Sequence, residues 1–190
     1  MAGTEGKLDI LTICGSLRKG SYNRMLMRAL PELAPSEMTL REAPTYGTIP
    51  LYDWDVQNES GFPDAVTAWS DAIRSADGVI IVSPEYNWGI PGPLKNAIDW
   101  ASRLKDQPFK GKPVALQSAA TGLMGGARMQ YQLRHVLTPL DAHLLGRPEV
   151  IVTFAAQKFD ANGGLKDEPT REMIKQQLAG FAAYIKRLAD

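Results

Sequence analysis

Residues 15 to 23 read GSLRKGSYN and follow the apolar run LDILTIC at residues 8 to 14. Two glycines, two serines and two cations in nine residues exceed what a plain strand-to-helix connection requires. Gly15 and Gly20 permit close backbone approach and positive φ, Ser16 and Ser21 bring hydroxyls, and Arg18 brings a planar fork of N–H donors. Tyr22 and Asn23 open a helix whose first amides carry partial positive charge. Each of these groups favours a phosphate. The same residues would also serve as an N-capping loop, with Ser21 satisfying the first amides and the cations solvated, so the loop alone leaves both readings open. The patterns G-x-x-x-x-G-K-[ST] and G-x-G-x-x-G are absent. That speaks against a nucleotide triphosphatase or a dinucleotide-type dehydrogenase and for a phosphate monoester.

A second loop lies in SPEYNWGIPGPLKNAIDW, residues 83 to 100. Pro84, Pro91 and Pro93 with Gly89 and Gly92 make it rigid and irregular, and Pro93 suits the first turn of the next helix. Tyr86 and Trp88 supply aromatic surface, and the amides of residues 85 to 87 could face the edge of a planar heterocycle. Packing on the core or on another subunit is the competing reading for both aromatics. Lys95, Asn96 and Asp99 share one helical face, where they would cap or pair. The third loop, SAATGLMGGARMQ at residues 118 to 130, turns glycine-rich before a helix. Ser118, Thr121, Gly122, Gly125 and Gly126 could aim amides at a ring carbonyl or a developing negative charge. A flexible connection with a helix cap would use the same residues.

The elements that position these loops follow from hydrophobic patterning. Near-continuous apolar runs at 8 to 14, 78 to 83, 113 to 120 and 149 to 154 predict strands buried on both faces, and the more polar MTLREA at 38 to 43 predicts an edge strand. Helical spacing recurs at 22 to 34, 63 to 76, 93 to 104, 127 to 140 and 170 to 189, with Pro31 expected to kink or end the first helix near Leu30. The β-α alternation, five times over, implies an α/β fold with a parallel sheet and helices on both faces. In such a sheet ligands bind at the carboxyl ends of the strands, which is where all three loops emerge. Residues 44 to 62 form the longest irregular segment. Its Tyr46, Ile49, Tyr52 and Trp54 are candidates for a subunit interface, which Arg128 and Tyr131 could join; otherwise Arg128 reads as a solvated cation.

The totals narrow the class. The chain has 190 residues, enough for one well-cored domain spanning residues 1 to 190, with no linker or repeat. Twenty-one basic residues balance twenty-one acidic ones, so no overall field draws the chain to nucleic acid or to a membrane surface. No apolar run approaches the ~20 residues of a membrane span, and the N-terminal MAGTEGKLD lacks the apolar core of a signal peptide. A cytoplasmic location is expected. Cys14, the single cysteine, reads as a small buried apolar residue, and His135 and His143 read as structural, so no metal site is expected.

Taken together, GSLRKGSYN, PEYNWGIPGPLKNAIDW and the glycine pair at 125 and 126 resemble the NAD(P)H-dependent FMN reductase family, close to its quinone and chromate reductase branch. The resemblance runs from about residue 8 to the last helix. It implies a flavodoxin-like three-layer sandwich with a five-stranded parallel sheet in the order 2-1-3-4-5. It implies that Ser16, Arg18, Ser21, Tyr22 and Asn23 hold the FMN phosphate. Pro84, Glu85, Tyr86 and Asn87 would line the flavin ring largely through main chain, with Ser118 and the loop after it on the far side. The pair Trp88-Gly89 departs from the family's pattern and bears on substrate access. The implied activity carries a hydride from NAD(P)H through FMN to quinones, with chromate, free flavin and azo dyes as further acceptors. No catalytic side chain is required, since the cofactor carries the chemistry. A homodimer or homotetramer is implied as well. A flavodoxin-type electron carrier and a non-catalytic α/β interaction module are the alternatives.

Overall fold

The computed structural model describes residues 6–189. The expectation about a signal peptide falls mainly on residues 1 to 5, outside the described residues. The chain forms β1 (Leu8–Cys14), α1 (Tyr22–Leu33), β2 (Met38–Glu42), α2 (Trp54–Ser60), α3 (Asp64–Ser75), β3 (Gly78–Val82) and α4 (Gly92–Ala101). It continues with β4 (Pro113–Ala119), α5 (Ala127–Leu137), a 3₁₀ turn (Thr138–Leu140), β5 (His143–Leu144), β6 (Val150–Val152), α6 (Ala155–Lys158) and α7 (Glu168–Ala189).

Every strand pair is parallel, and the order is β2-β1-β3-β4-β5, with β6 also paired to β4. The expected order 2-1-3-4-5 is present, with one refinement. The outer position is shared by two short strands: His143 and Leu144 lie beside Pro113 and Val114, and Val150–Val152 lies beside Gln117–Ala119. Between them sits Pro148, which has no N–H to give the ladder.

Alternate residues of the strands bury into two different layers. Ile10, Ile80 and Ala115 pack with Leu26 and Leu30 of α1 and Ile174, Leu178 and Phe181 of α7. Leu11, Ile81 and Leu116 pack with Trp69 and Ile73 of α3, Leu94 and Trp100 of α4 and Leu133 of α5. Both faces are therefore covered, which is why the strand sequences lack polar alternation.

Two local expectations are corrected. Of the two outcomes expected at Pro31, an end near Leu30 does not occur, since α1 continues through Pro31 to Leu33. So near the carboxyl end the proline removes one N–H from the ladder while the flanking turns hold; the stop comes at Ala34, extended at φ −75° and ψ 145° before Pro35. The segment 44 to 62 is also less irregular than expected, because Asp53 accepts the Asp55 N–H at 2.8 Å and starts α2.

Candidate functional site

The three loops converge at the carboxyl edge of the sheet. Gly15 extends β1 by donating its N–H to Val82 O at 2.8 Å. A Cβ on Gly15 would lie 2.1 Å from Ser83 Oγ and 2.9 Å from Ser83 Cα, so only glycine lets the first and second loops run this close. At the third loop Gly126 sits at φ 95°, and a Cβ there would lie 2.7 Å from Ser118 Cβ.

The first loop wraps the start of α1. Ser21 is its N-cap, with Oγ accepting the Asn23 N–H at 3.2 Å. The Arg18 guanidinium is exposed and folds back to donate to Gly20 O at 2.6 Å, which sets the cation over the loop. Ser16 is buried; its Oγ accepts the Arg18 N–H at 3.3 Å and lies 3.4 Å from the Tyr86 hydroxyl, linking the first loop to the second. Behind the loop, burial pushes the Cys14 thiol up, opposed in part by the Ser16 backbone amide, while its S–H donates to Ser16 O at 3.4 Å. Burial also raises Tyr46, whose hydroxyl donates to Cys14 O at 2.7 Å. Cys14 is thus the small buried residue expected.

A cleft of about 300 Å³ opens between the loops. Ser16, Arg18, Ser21, Tyr22, Asn23, Pro84 and Tyr86 line it, joined by Ala119, Ala120 and Thr121 from the third loop. Among the described residues no carboxylate lines it, and the N-terminal amides of α1, which have no partner within the helix, adjoin it. Hydroxyls, one guanidinium and helix-end amides without an acid make a donor set for a phosphate.

Several side chains do something other than expected. The Asn23 amide is buried and bonds both backbone groups of Ala119: Oδ1 accepts its N–H and Nδ2 donates to its O, each at 2.8 Å. Gln117 bonds Ser83 on the β3 side, and Ala119, two residues on, turns its backbone the same way, beyond the end of β3. Asn23 therefore replaces a missing strand neighbour, while its own N–H is held by the Ser21 cap. Ser118 is 0% exposed beneath the glycine turn, with Oγ accepting from Gln130 Nε2 at 2.8 Å, so its hydroxyl does not face the cleft. Glu85 and Asn87 lie outside the lining as well. The Glu85 carboxylate accepts Arg128 Nη1 at 3.2 Å and the Met129 N–H at 3.3 Å, tying the second loop to the first turn of α5. Such a carboxylate is favourable at a helix N-terminus.

Arg128 is not a solvated cation: its guanidinium lies 4.0 Å from the centre of the Trp88 ring while paired with Glu85. Nor do Tyr46, Ile49 and Tyr52 face outward. Tyr46 and Ile49 are buried, and Tyr52 packs edge-on against Trp100 at 5.0 Å. Asn96 pins that segment by accepting the Tyr52 N–H and donating to Pro50 O, both at 2.8 Å. Lys95 and Asp99 pair with each other at 2.7 Å.

A doubly covered parallel sheet in this order, with a donor-lined cleft at its carboxyl edge, defines a flavodoxin-like α/β protein. The NADPH-dependent FMN reductase family model matches residues 8–157, and the chain belongs to that family. It is 49% identical over 183 residues to the quinone reductase of Escherichia coli K12, covering 96% of this chain and 97% of the relative. It is 46% identical over 181 residues to an NAD(P)H-dependent FMN reductase of Pseudomonas aeruginosa, covering 95% and 97%. Among solved structures, the flavoenzyme NAD(P)H:(acceptor) oxidoreductase FerB of Paracoccus denitrificans superposes with a TM-score of 0.84 at 32% identity, covering 95% of this chain and 98% of that one.

Proposed function

We propose that the chain is an FMN-dependent NAD(P)H:quinone reductase built as a single FMN-binding domain. The net reaction is NAD(P)H + H⁺ + quinone → NAD(P)⁺ + hydroquinone, a two-electron transfer. The observation that carries the reading is the acid-free cleft in which Ser16, Arg18, Ser21, Tyr22 and Asn23 meet Pro84 and Tyr86. The residues fit the cofactor: hydroxyls, guanidinium and α1 amides match a phosphate dianion, and Tyr86, Pro84 and the 119–121 backbone offer flat, largely uncharged walls.

When bound, FMN supplies the chemistry, accepting hydride from NAD(P)H and releasing electrons to the acceptor. Ser16, Ser21 and Arg18 bind its phosphate, and Asn23 holds the third loop against α1 so that the cleft keeps its width. Glu85, through the start of α5, fixes the distance between the second and third loops. On the third-loop side the wall is formed by Ala119, Ala120 and Thr121.

The relatives' names support quinone acceptors, and the same cleft extends the reading to chromate, free flavin and azo dyes. A cytoplasmic location is part of the reading, since NAD(P)H is regenerated there. So is a homodimer or homotetramer, with exposed Leu51, Trp54 and Val56 around α2 as the contact. A flavodoxin-type carrier fits less well because the charges balance, whereas docking to redox partners favours a strongly charged surface. The test is spectroscopic. Purified protein should show flavin absorbance, lose it on anaerobic addition of NADPH and regain it with benzoquinone; a flavin that NADPH does not bleach would support the carrier.

A further inference from the structure

Residues 86–89 form a tight hairpin turn. The Tyr86 N–H donates to Gly89 O at 3.0 Å, and the Gly89 N–H returns a bond to Tyr86 O at 2.9 Å. Between them Asn87 has φ 48° and Trp88 has φ 69°. Positive φ at both central positions is the type I′ arrangement, which normally puts glycine where Trp88 stands. A bulky side chain in that region is strained, and such strain persists only where its surroundings over-determine it, commonly at ligand clamps.

The surroundings here are unusually complete. Gln132 Nε2 donates to Trp88 O at 2.9 Å, fixing the turn to α5. The Arg128 guanidinium covers one face of the indole at 4.0 Å. Glu85, its side chain only 11% exposed, holds that guanidinium through Nη1. Yet the indole so fastened is 67% exposed. Core packing therefore does not account for it. Tyr86 in the same turn lines the cleft, so the turn that carries Trp88 adjoins it, while Trp88 and Arg128 themselves stand outside the lining residues.

We propose that Trp88 and Arg128 together form the platform that selects the electron acceptor. The free face of the indole stacks the flat ring of a quinone, and the guanidinium N–H groups that Glu85 does not engage meet a quinone carbonyl oxygen. Glu85 is a positioning residue that keeps the guanidinium parallel to the indole. The selected class is planar, carbonyl-bearing aromatic acceptors. This rests on the FMN-dependent reductase reading and names the acceptor side of that same site.

The test compares wild type, Trp88→Gly and Trp88→Phe as FMN-loaded full-length protein, with NADPH saturating, on a naphthoquinone and on ferricyanide, which cannot stack. Glycine is at home in this turn, so the variant should fold and melt higher than wild type. The platform predicts that the naphthoquinone-to-ferricyanide ratio of kcat/KM falls roughly two- to tenfold in Trp88→Gly, through a higher quinone KM, and recovers in Trp88→Phe. An unchanged ratio overturns it. So does a drop in oligomer mass with Trp88→Gly, which would assign the indole to a subunit contact. A wild-type protein that keeps no FMN or reduces no quinone overturns the reductase reading, and the platform with it, before any variant is compared.

Discussion

Replacing Asn23 by alanine removes both bonds to the backbone of Ala119, 96 residues away and buried. The N–H and C=O left behind face the side on which β3 has already ended, so no strand takes them up. Each orphaned backbone group costs about 1–3 kcal/mol, giving roughly 2–6 kcal/mol for the pair. That is a large part of the ~5–15 kcal/mol that holds a typical domain together. At about 2–4 °C per kcal/mol for a chain of this size, a loss near ~4 kcal/mol lowers Tm by roughly 8–16 °C. The assay is urea and thermal unfolding of flavin-stripped protein, where phosphate binding contributes nothing. Asn23→Asp sharpens it by keeping the acceptor for the Ala119 N–H but setting an oxygen against the Ala119 carbonyl, so it too should destabilise. If stripped Asn23→Ala unfolds within about 0.5 kcal/mol of wild type, a threshold typical of neutral surface changes, the strut is wrong. Asn23 would then be a ligand contact alone.

Gly15→Ala should destabilise by about 3 kcal/mol or more, because its Cβ would meet Ser83 Oγ at 2.1 Å, and Ser83→Gly in the same chain should restore part of the loss in urea melts. Cys14 should resist Ellman's reagent until the protein unfolds. Its thiol ionises later in the fold than in the unfolded chain, so its contribution to stability declines as pH rises through the unfolded value near ~8.5. The Lys158 hydrogen bond, with those from Thr170, holds the Asp167 carboxyl below its usual range. The stability it adds is present above the unfolded value near ~3.9 and disappears as pH falls through the lower folded one. The gap in urea midpoint between wild type and Asp167→Asn should therefore close between neutral pH and the acid range.

The central strands were legible because Ile10 to Cys14 of β1 and all of β3 and β4 are buried between the two layers, which leaves a nearly continuous hydrophobic run. The same fact argued against a ligand-facing Ser118, which lies inside seven consecutive buried residues of β4. β5 was invisible since two residues carry no periodicity. α2 buries none of its residues, so it leaves no apolar stripe, and only the Asp53 cap marked it. At the site, residue types announced a phosphate, but the partners of polar side chains did not follow from them. Nothing local says that Asn23 reaches Ala119 or that Glu85 reaches Arg128, 43 residues on. Those pairings depend on which strand ends first and where the loops then cross.

FMN titration of the flavin-stripped chain, wild type beside Arg18→Ala/Ser21→Ala, bears most directly on the phosphate seat at the exit of β1. Loss of a charge-assisted hydrogen bond and a capping hydroxyl predicts a Kd raised at least about tenfold. A double variant that binds FMN as tightly as wild type would contradict the account.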